Sequence, residues 1–154
     1  IPAKLGMDSG EKPIFMKIHK GFCEGENFVF IFENGKGIRL PMSVYDAKSR
    51  RKKITGAYST ASPLAGVIYD DGSKVNFFIK SDGGRGMVIS ANDMEIKSSR
   101  KGAGYQVMNL PKKGVKIDLV TDRLADLGKD VMKCKKANIP SSGTILSHLN
   151  LKLQ

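Results

Sequence analysis

Phe28-Val29-Phe30-Ile31-Phe32-Glu33-Asn34-Gly35-Lys36-Gly37-Ile38-Arg39-Leu40-Pro41 reads as an apolar run, a turn and a returning apolar run. A continuous apolar run of this length is the pattern of a strand buried on both faces. Asn-Gly between two such runs is the strongest short hairpin signal, because both turn positions are expected at positive φ. The stretch is also written twice. A slide of 49 positions, carrying Asn27 onto Asn76, lays Asn27 to Lys53 over Asn76 to Gly102. Phe30 then meets Ile79, Gly35-Lys36-Gly37 meets Gly84-Arg85-Gly86, Leu40 meets Ile89, and Lys48-Ser49 meets Lys97-Ser98. A period near 50 built of strands and glycine turns is the mark of a bladed all-β array, whose units cannot bury their apolar faces alone.

Working outward, the first unit adds a strand candidate at Ile14 to Ile18 and a turn at Glu24-Gly25-Glu26. The second has strand candidates at Leu64 to Tyr69, Val75 to Ile79 and Gly86 to Ile89, with turns at Asp71-Gly72 and Asp82-Gly83-Gly84. Each unit therefore reads as about four short strands. A third opens with Val115 to Val120. After that the grammar changes: Leu124, Leu127, Val131 and Cys134 fall at helical spacing, which predicts a short helix over Asp122 to Lys135, and Ile145 to Leu153 alternates as a strand does. The expected organisation is one domain over residues 1–154. Its repeat units span about 10–61 and 62–112, with partial units at 1–9 and 113–120 and an extension at 121–154.

The 154 residues suffice for one core, since a chain of this size buries roughly 70% of its unfolded surface. No run approaches the roughly 20 apolar residues of a membrane span, and no signal-peptide pattern is present. A start at Ile1, in mid-pattern, is expected of a piece cut from a longer chain. Two widely separated cysteines indicate no disulfide scaffold, and a reducing cytoplasm fits them best. A metal site would need His19, Cys23, Cys134 and His148 together, at spacings that match no zinc pattern. No phosphate-binding loop or nucleophile elbow occurs, so no catalytic residues and no cofactor are expected in this piece.

Lys and Arg outnumber Asp and Glu by 26 to 15, a formal charge of +11, which points to a polyanionic partner. The charge is concentrated after each returning strand, at Lys48, Arg50, Arg51, Lys52 and Lys53 in one unit and at Lys97, Arg100 and Lys101 in the next. A single charge run is most often a solvated face. Two at equivalent positions of a bladed array instead place positive charge at regular steps along a rim that a phosphate backbone can follow. Lys36 and Arg85, each inside a Gly-basic-Gly turn, are equivalent too; hairpin chemistry and phosphate contact account for them equally well. Tyr58 and Tyr105, just beyond the basic loops, read as core residues, and 7% aromatics with no Trp argue against a single-strand-binding surface.

On these residues the chain resembles the C-terminal domain of the A subunit of bacterial type IIA topoisomerases, the gyrase and topoisomerase IV family. The resemblance rests on Phe32 to Pro41 with Arg51-Lys52-Lys53 and Ala57-Tyr58-Ser59, and on Asp82 to Gly86 with Arg100 to Met108, and covers residues 10–120. It also extends to Asn138-Ile139-Pro140, which is similar to the tail of some clostridial A subunits. It implies an all-β, propeller-like β-pinwheel, here a partial disc of four-stranded units that exchange strands with their neighbours and wrap duplex DNA around a basic rim. It further implies a non-catalytic accessory role in the nucleoid. The partners would be double-stranded DNA, the rest of the A subunit and an ATPase subunit, with ATP and Mg²⁺ used in the parent enzyme, outside this chain. Gyrase proper carries a Gln-Arg-Arg-Gly-Gly-Lys-Gly box, and the closest segment, Ser49 to Gly56, lacks its glutamine and glycine pair. The parent is thus either a gyrase or a topoisomerase IV type. Two other readings of the residues stand beside this one: a generic basic all-β nucleic-acid binder, and a propeller-like protein-interaction module whose basic loops only solvate it.

Overall fold

The computed structural model describes residues 9–10, 12–16, 25–46 and 56–153. The sequence expectations at Lys48, Arg50, Arg51, Lys52 and Lys53, and at His19 and Cys23, lie outside them.

The quoted stretch is a hairpin of β1 (Asn27–Phe32) and β2 (Lys36–Pro41), with Phe30 opposite Ile38 and Ile31 opposite Gly37. Its turn differs from the expected two-residue form. Gly35 N–H donates to Phe32 O at 3.0 Å and Gly35 alone takes positive φ, 83°, while Asn34 stays at negative φ. This is a three-residue loop with glycine at the left-handed closing position. Asn34 serves through its side chain, whose Oδ1 accepts from Lys36 N–H at 3.0 Å.

β3 (Leu64–Asp70) follows, then a second hairpin of β4 (Asn76–Ser81) and β5 (Arg85–Ser90), the two-residue β6 (Tyr105–Gln106), β7 (Ile117–Thr121) and the two-residue β8 (Thr144–Ile145). They form two antiparallel four-stranded sheets in the orders β3-β1-β2-β6 and β7-β4-β5-β8. Neither sheet is one sequence unit. β3 and β6 flank the hairpin that precedes them in sequence, and β7 and β8 flank the next one, so each blade is completed by strands that follow its hairpin in sequence. The repeat holds in hydrogen-bonding detail. Met42 N donates to Glu26 O at 2.9 Å and Ala91 N to Val75 O at 2.8 Å; Glu33 N donates to Pro63 O and Asp82 N to Lys116 O, both at 2.9 Å. Register shifts fall between Ile31 and Phe32 and, equivalently, between Lys80 and Ser81.

The main core lies between the blades. Val29, Ile31 and Ile68 from one sheet pack against Phe77, Ile79, Met87 and Ile89 from the other, and all but Ile68 are 0% exposed. Removing this shared apolar layer from water, at about 25 cal/mol per Å², favours the two blades packed together. The far face of the first blade buries Phe30, Phe32, Ile38 and Leu40 under Tyr45, Tyr58 and Leu64.

The C-terminal third departs from two expectations. β7 falls on the strand candidate Val115 to Val120, and no hairpin follows it among the described residues. Instead of an α-helix over Asp122 to Lys135 there are two 3-10 helices, Leu124–Leu127 and Lys129–Cys134, broken by Gly128 at φ 101° and ψ 176°, a backbone conformation no helix contains. The helical spacing of Leu127, Val131 and Cys134 still serves its purpose, since these side chains bury Phe78 and Val88 on the outer face of the second blade. The segment thus stands where the next blade would pack. Finally, Ile145 to Leu153 is a strand only at its start; Leu146–His148 is 3-10. Ile14 to Met16, expected as strand, forms none: Ile14 and Met16 are exposed and Phe15 meets the edge of the Phe28 ring at 5.6 Å.

Candidate nucleic-acid interface

The second basic loop does not stay on its own blade. After β5 the chain turns through a 3-10 helix at Ala91–Asp93, capped by Ser90 and Asp93, and crosses to the outer edge of the first blade. Ile96 bridges Arg39 in parallel, Lys97 N–H donates to Arg39 O at 2.8 Å, and the chain returns to the edge where Tyr105 pairs with Gly37. Residues 96–107 are therefore an edge strip that blunts the open side of β2, as an exposed strand edge requires. Gly104 permits its return: at φ 75°, a Cβ there would lie 2.2 Å from Gly37 O.

A buried ion pair fixes the start of the strip. Arg39 Nη2 lies 2.7 Å from Asp70 Oδ2 and Nε lies 3.0 Å from the same oxygen. Arg39 also donates to Met94 O and to Asn92 Oδ1, each at 3.2 Å, so its guanidinium ties β2 and β3 of the first blade to the crossing loop. Asn27 Nδ2, at 3.0 Å, and Gly72 N–H, at 3.0 Å, donate to the two Asp70 oxygens. Sequence reasoning missed this network. A lone Arg in a strand carries the signature of a solvated face; its only cue is that it breaks an otherwise apolar run.

The strip presents Lys97, Arg100 and Lys101. Arg100 is half-buried, with its guanidinium carbon 5.9 Å from the Tyr45 ring centroid, and Lys101 packs over Gly56. Tyr45 and Gly56 stand immediately before and after residues 46–55, the segment that holds the first basic run. Arg100 and Lys101 are therefore seated against the residues that flank the first basic run in sequence. Tyr45 is locked there by donating its hydroxyl to Ala57 O at 2.6 Å; burial pushes that hydroxyl well above the usual tyrosine range, against a smaller opposing pull from Arg100. Lys97 is less free. Its Nζ lies 2.9 Å from Glu95 Oε2, and this contact holds the exposed Glu95 carboxyl below its ordinary value.

Lys36 and Arg85 sit at the hairpin turns, both partly buried. Arg85 Nη1 donates to Gly143 O at 3.1 Å, which gives it a structural task on the second blade. Tyr58 stacks on Phe30 with ring centroids 5.4 Å apart, and Tyr105 packs against the interblade core, so both are built into the fold. Burial pushes the Tyr105 hydroxyl up to about 12, against a lesser opposing pull from the nearby Glu95 backbone. Cys134 is buried and His148 closes a 3-10 helix; among the described residues no three His, Cys, Asp or Glu side chains cluster as metal ligands. Also among the described residues, no helix is long and apolar enough to cross a membrane.

No protein-family model matches the chain, and no curated protein matches it by sequence. Solved structures do match in fold. The crystal structure of the C-terminal domain of DNA topoisomerase IV superposes with a TM-score of 0.74 at 20% identity, over 97% of this chain and 51% of that one. The C-terminal domain of DNA gyrase A superposes with a TM-score of 0.59 at 14% identity, over 83% of this chain and 45% of that one. The chain spans about half the length of the solved domains it matches. Its fold is that of these β-pinwheel domains, as the sequence resemblance implies.

Proposed function

We propose that the chain binds duplex DNA without reading its sequence and curves it along the basic edge of the blades, as an accessory domain of a type II topoisomerase A subunit. The observation that carries this reading is the seating of Arg100 and Lys101 against Tyr45 and Gly56, at the two ends of the segment containing Lys48 and Arg50 to Lys53. Arg100 and Lys101 at one sheet edge, with the cations that the sequence carries between Tyr45 and Gly56, supply a local concentration of positive charge that a scattered surface charge does not.

The task is electrostatic. Bending 20 to 30 base pairs by 40 to 90° costs on the order of 1 to 6 kcal/mol, and release of counterions from the contacted phosphates offsets that cost. No base-reading group is required, and the tyrosines that could stack on bases are committed to the core. In the parent enzyme the curved segment would be guided to the site of strand passage, with ATP hydrolysis and DNA cleavage carried out by other domains and the ATPase subunit. The nucleoid is where such a domain would work.

Affinity for a random-sequence duplex, measured across salt concentrations, tests the reading. Each neutralised phosphate contributes a log-log slope of about −0.9. Replacing Arg50, Arg51, Lys52 and Lys53 by alanine, or Arg100 and Lys101 by glutamine, should weaken binding and flatten the slope. A wild-type chain with no salt-sensitive duplex affinity would instead favour the protein-interaction module.

A further inference from the structure

The edge strip of the first blade has a counterpart on the second that the sequence repeat does not reveal. Lys136 N–H donates to Val88 O at 2.9 Å as Lys97 N–H does to Arg39 O, and Lys135 bridges Val88 in parallel as Ile96 bridges Arg39. Thr144 pairs with Gly86 as Tyr105 pairs with Gly37, and Leu146 N–H donates to Gly84 O at 3.0 Å as Val107 N–H does to Gly35 O at 2.9 Å. Gly143, at φ 77° and with its Cβ position 2.9 Å from Gly86 O, repeats the close approach of Gly104. Residues 135–146 are thus a second edge strip, in register with 96–107 at an offset of 39 (136 − 97).

Within that register Lys97 falls on Lys136, while Lys48 precedes Lys97 by the 49 positions of the sequence repeat. The two edge strips therefore carry a lysine at the same backbone position. The surroundings favour the later one. Glu95, which pairs with Lys97, has Cys134 as its counterpart, and among the described residues Lys136 meets no carboxylate. Beside it, Lys135 is exposed and its Nζ donates to the neutral Asn76 Oδ1 at 2.8 Å, so its position is fixed and its charge uncompensated. Lys133 is different, since Asp130 lies 3.1 Å from it.

We infer that Lys135 and Lys136 form the next step of the phosphate track, carrying DNA backbone from the edge of the first blade onto the edge of the second. The inference rests on the duplex-binding reading and extends it into the segment that has no hairpin of its own.

The test compares three variants of the full chain on a random-sequence duplex: K135Q/K136Q, R100Q/K101Q on the first strip, and K112Q/K113Q. The last pair is exposed just before β7, on the opposite edge of the second sheet, and removes the same charge. Loss of two phosphate contacts should reduce the magnitude of the salt slope by about 1.8 in K135Q/K136Q, and K112Q/K113Q should leave it unchanged. If R100Q/K101Q flattens the slope while K135Q/K136Q behaves like K112Q/K113Q, the second strip is not part of the track, although duplex binding stands. If the wild-type chain itself shows no salt-dependent duplex binding, both readings fall.

Discussion

Arg39 and Asp70 form a buried ion pair at 2.7 Å, with the Asp70 side chain 0% exposed, and the same arginine holds the Met94 carbonyl where the chain crosses between blades. Such a pair is not a net gain simply because it is buried, since desolvation offsets most of its attraction. Removing one partner is another matter, because it strands the other charge in the interior. Arg39→Ala or Asp70→Ala should each cost about 3 to 5 kcal/mol in urea unfolding. The double variant Arg39→Met, Asp70→Leu should cost less than the sum of the two single losses; strict additivity would contradict the pairing.

Gly104 and Gly114 separate two demands on a glycine. Both take positive φ, 75° and 92°, but only at Gly104 would a Cβ meet backbone, at Gly37 O; at Gly114 nothing lies within 4 Å. Gly114→Ala should cost about 1 to 2 kcal/mol, the penalty of a left-handed L-residue. Gly104→Ala should cost more and should also speed amide exchange at Tyr105, whose pairing with Gly37 depends on the close approach. Equal losses in the two variants would show that the close approach carries no energy.

Alkaline stability should depend on two tyrosines. Burial raises the folded-state pKa of Tyr45, and that of Tyr105 to about 12, above the unfolded value near 10. The stability linked to these neutral hydroxyls is fully present below pH 10 and is lost as pH rises through about 12, because the unfolded chain gives up those protons first. Urea unfolding at pH 8 and pH 11 should show a smaller alkaline loss in Tyr105→Phe than in the wild type. An identical loss would mean that Tyr105 ionises as readily in the fold as outside it.

What the sequence discloses and conceals follows from the range of the interactions. The hairpins at Phe28 to Leu40 and Phe77 to Ile89 are legible because both the apolar runs and the glycine turn are local. The exchange of β3 and β7 into the preceding sheet is set by the layer shared between Ile31, Ile68 and Ile79, a choice no window of residues contains. The second edge strip is concealed for a related reason. It is defined by backbone pairing to Val88 and Gly86, and only Lys136 and Gly143 keep the identity of their counterparts Lys97 and Gly104. The helical spacing from Leu124 to Cys134 correctly marks an apolar face, but Gly128 divides the segment into tighter turns. The second basic loop is visible as charge; the seating of Arg100 on Tyr45 and of Lys101 over Gly56 is not.

The most direct test of duplex wrapping is topological. Nicked plasmid is incubated with the chain, sealed with ligase and stripped of protein, and its linking-number distribution is read on a gel. A shift that grows with protein concentration, and that shrinks in R100Q/K101Q, is the predicted result; its sign gives the hand of the wrap. A distribution identical to the protein-free control, at concentrations where the plasmid is bound, would contradict the account and leave a basic surface that holds DNA without curving it.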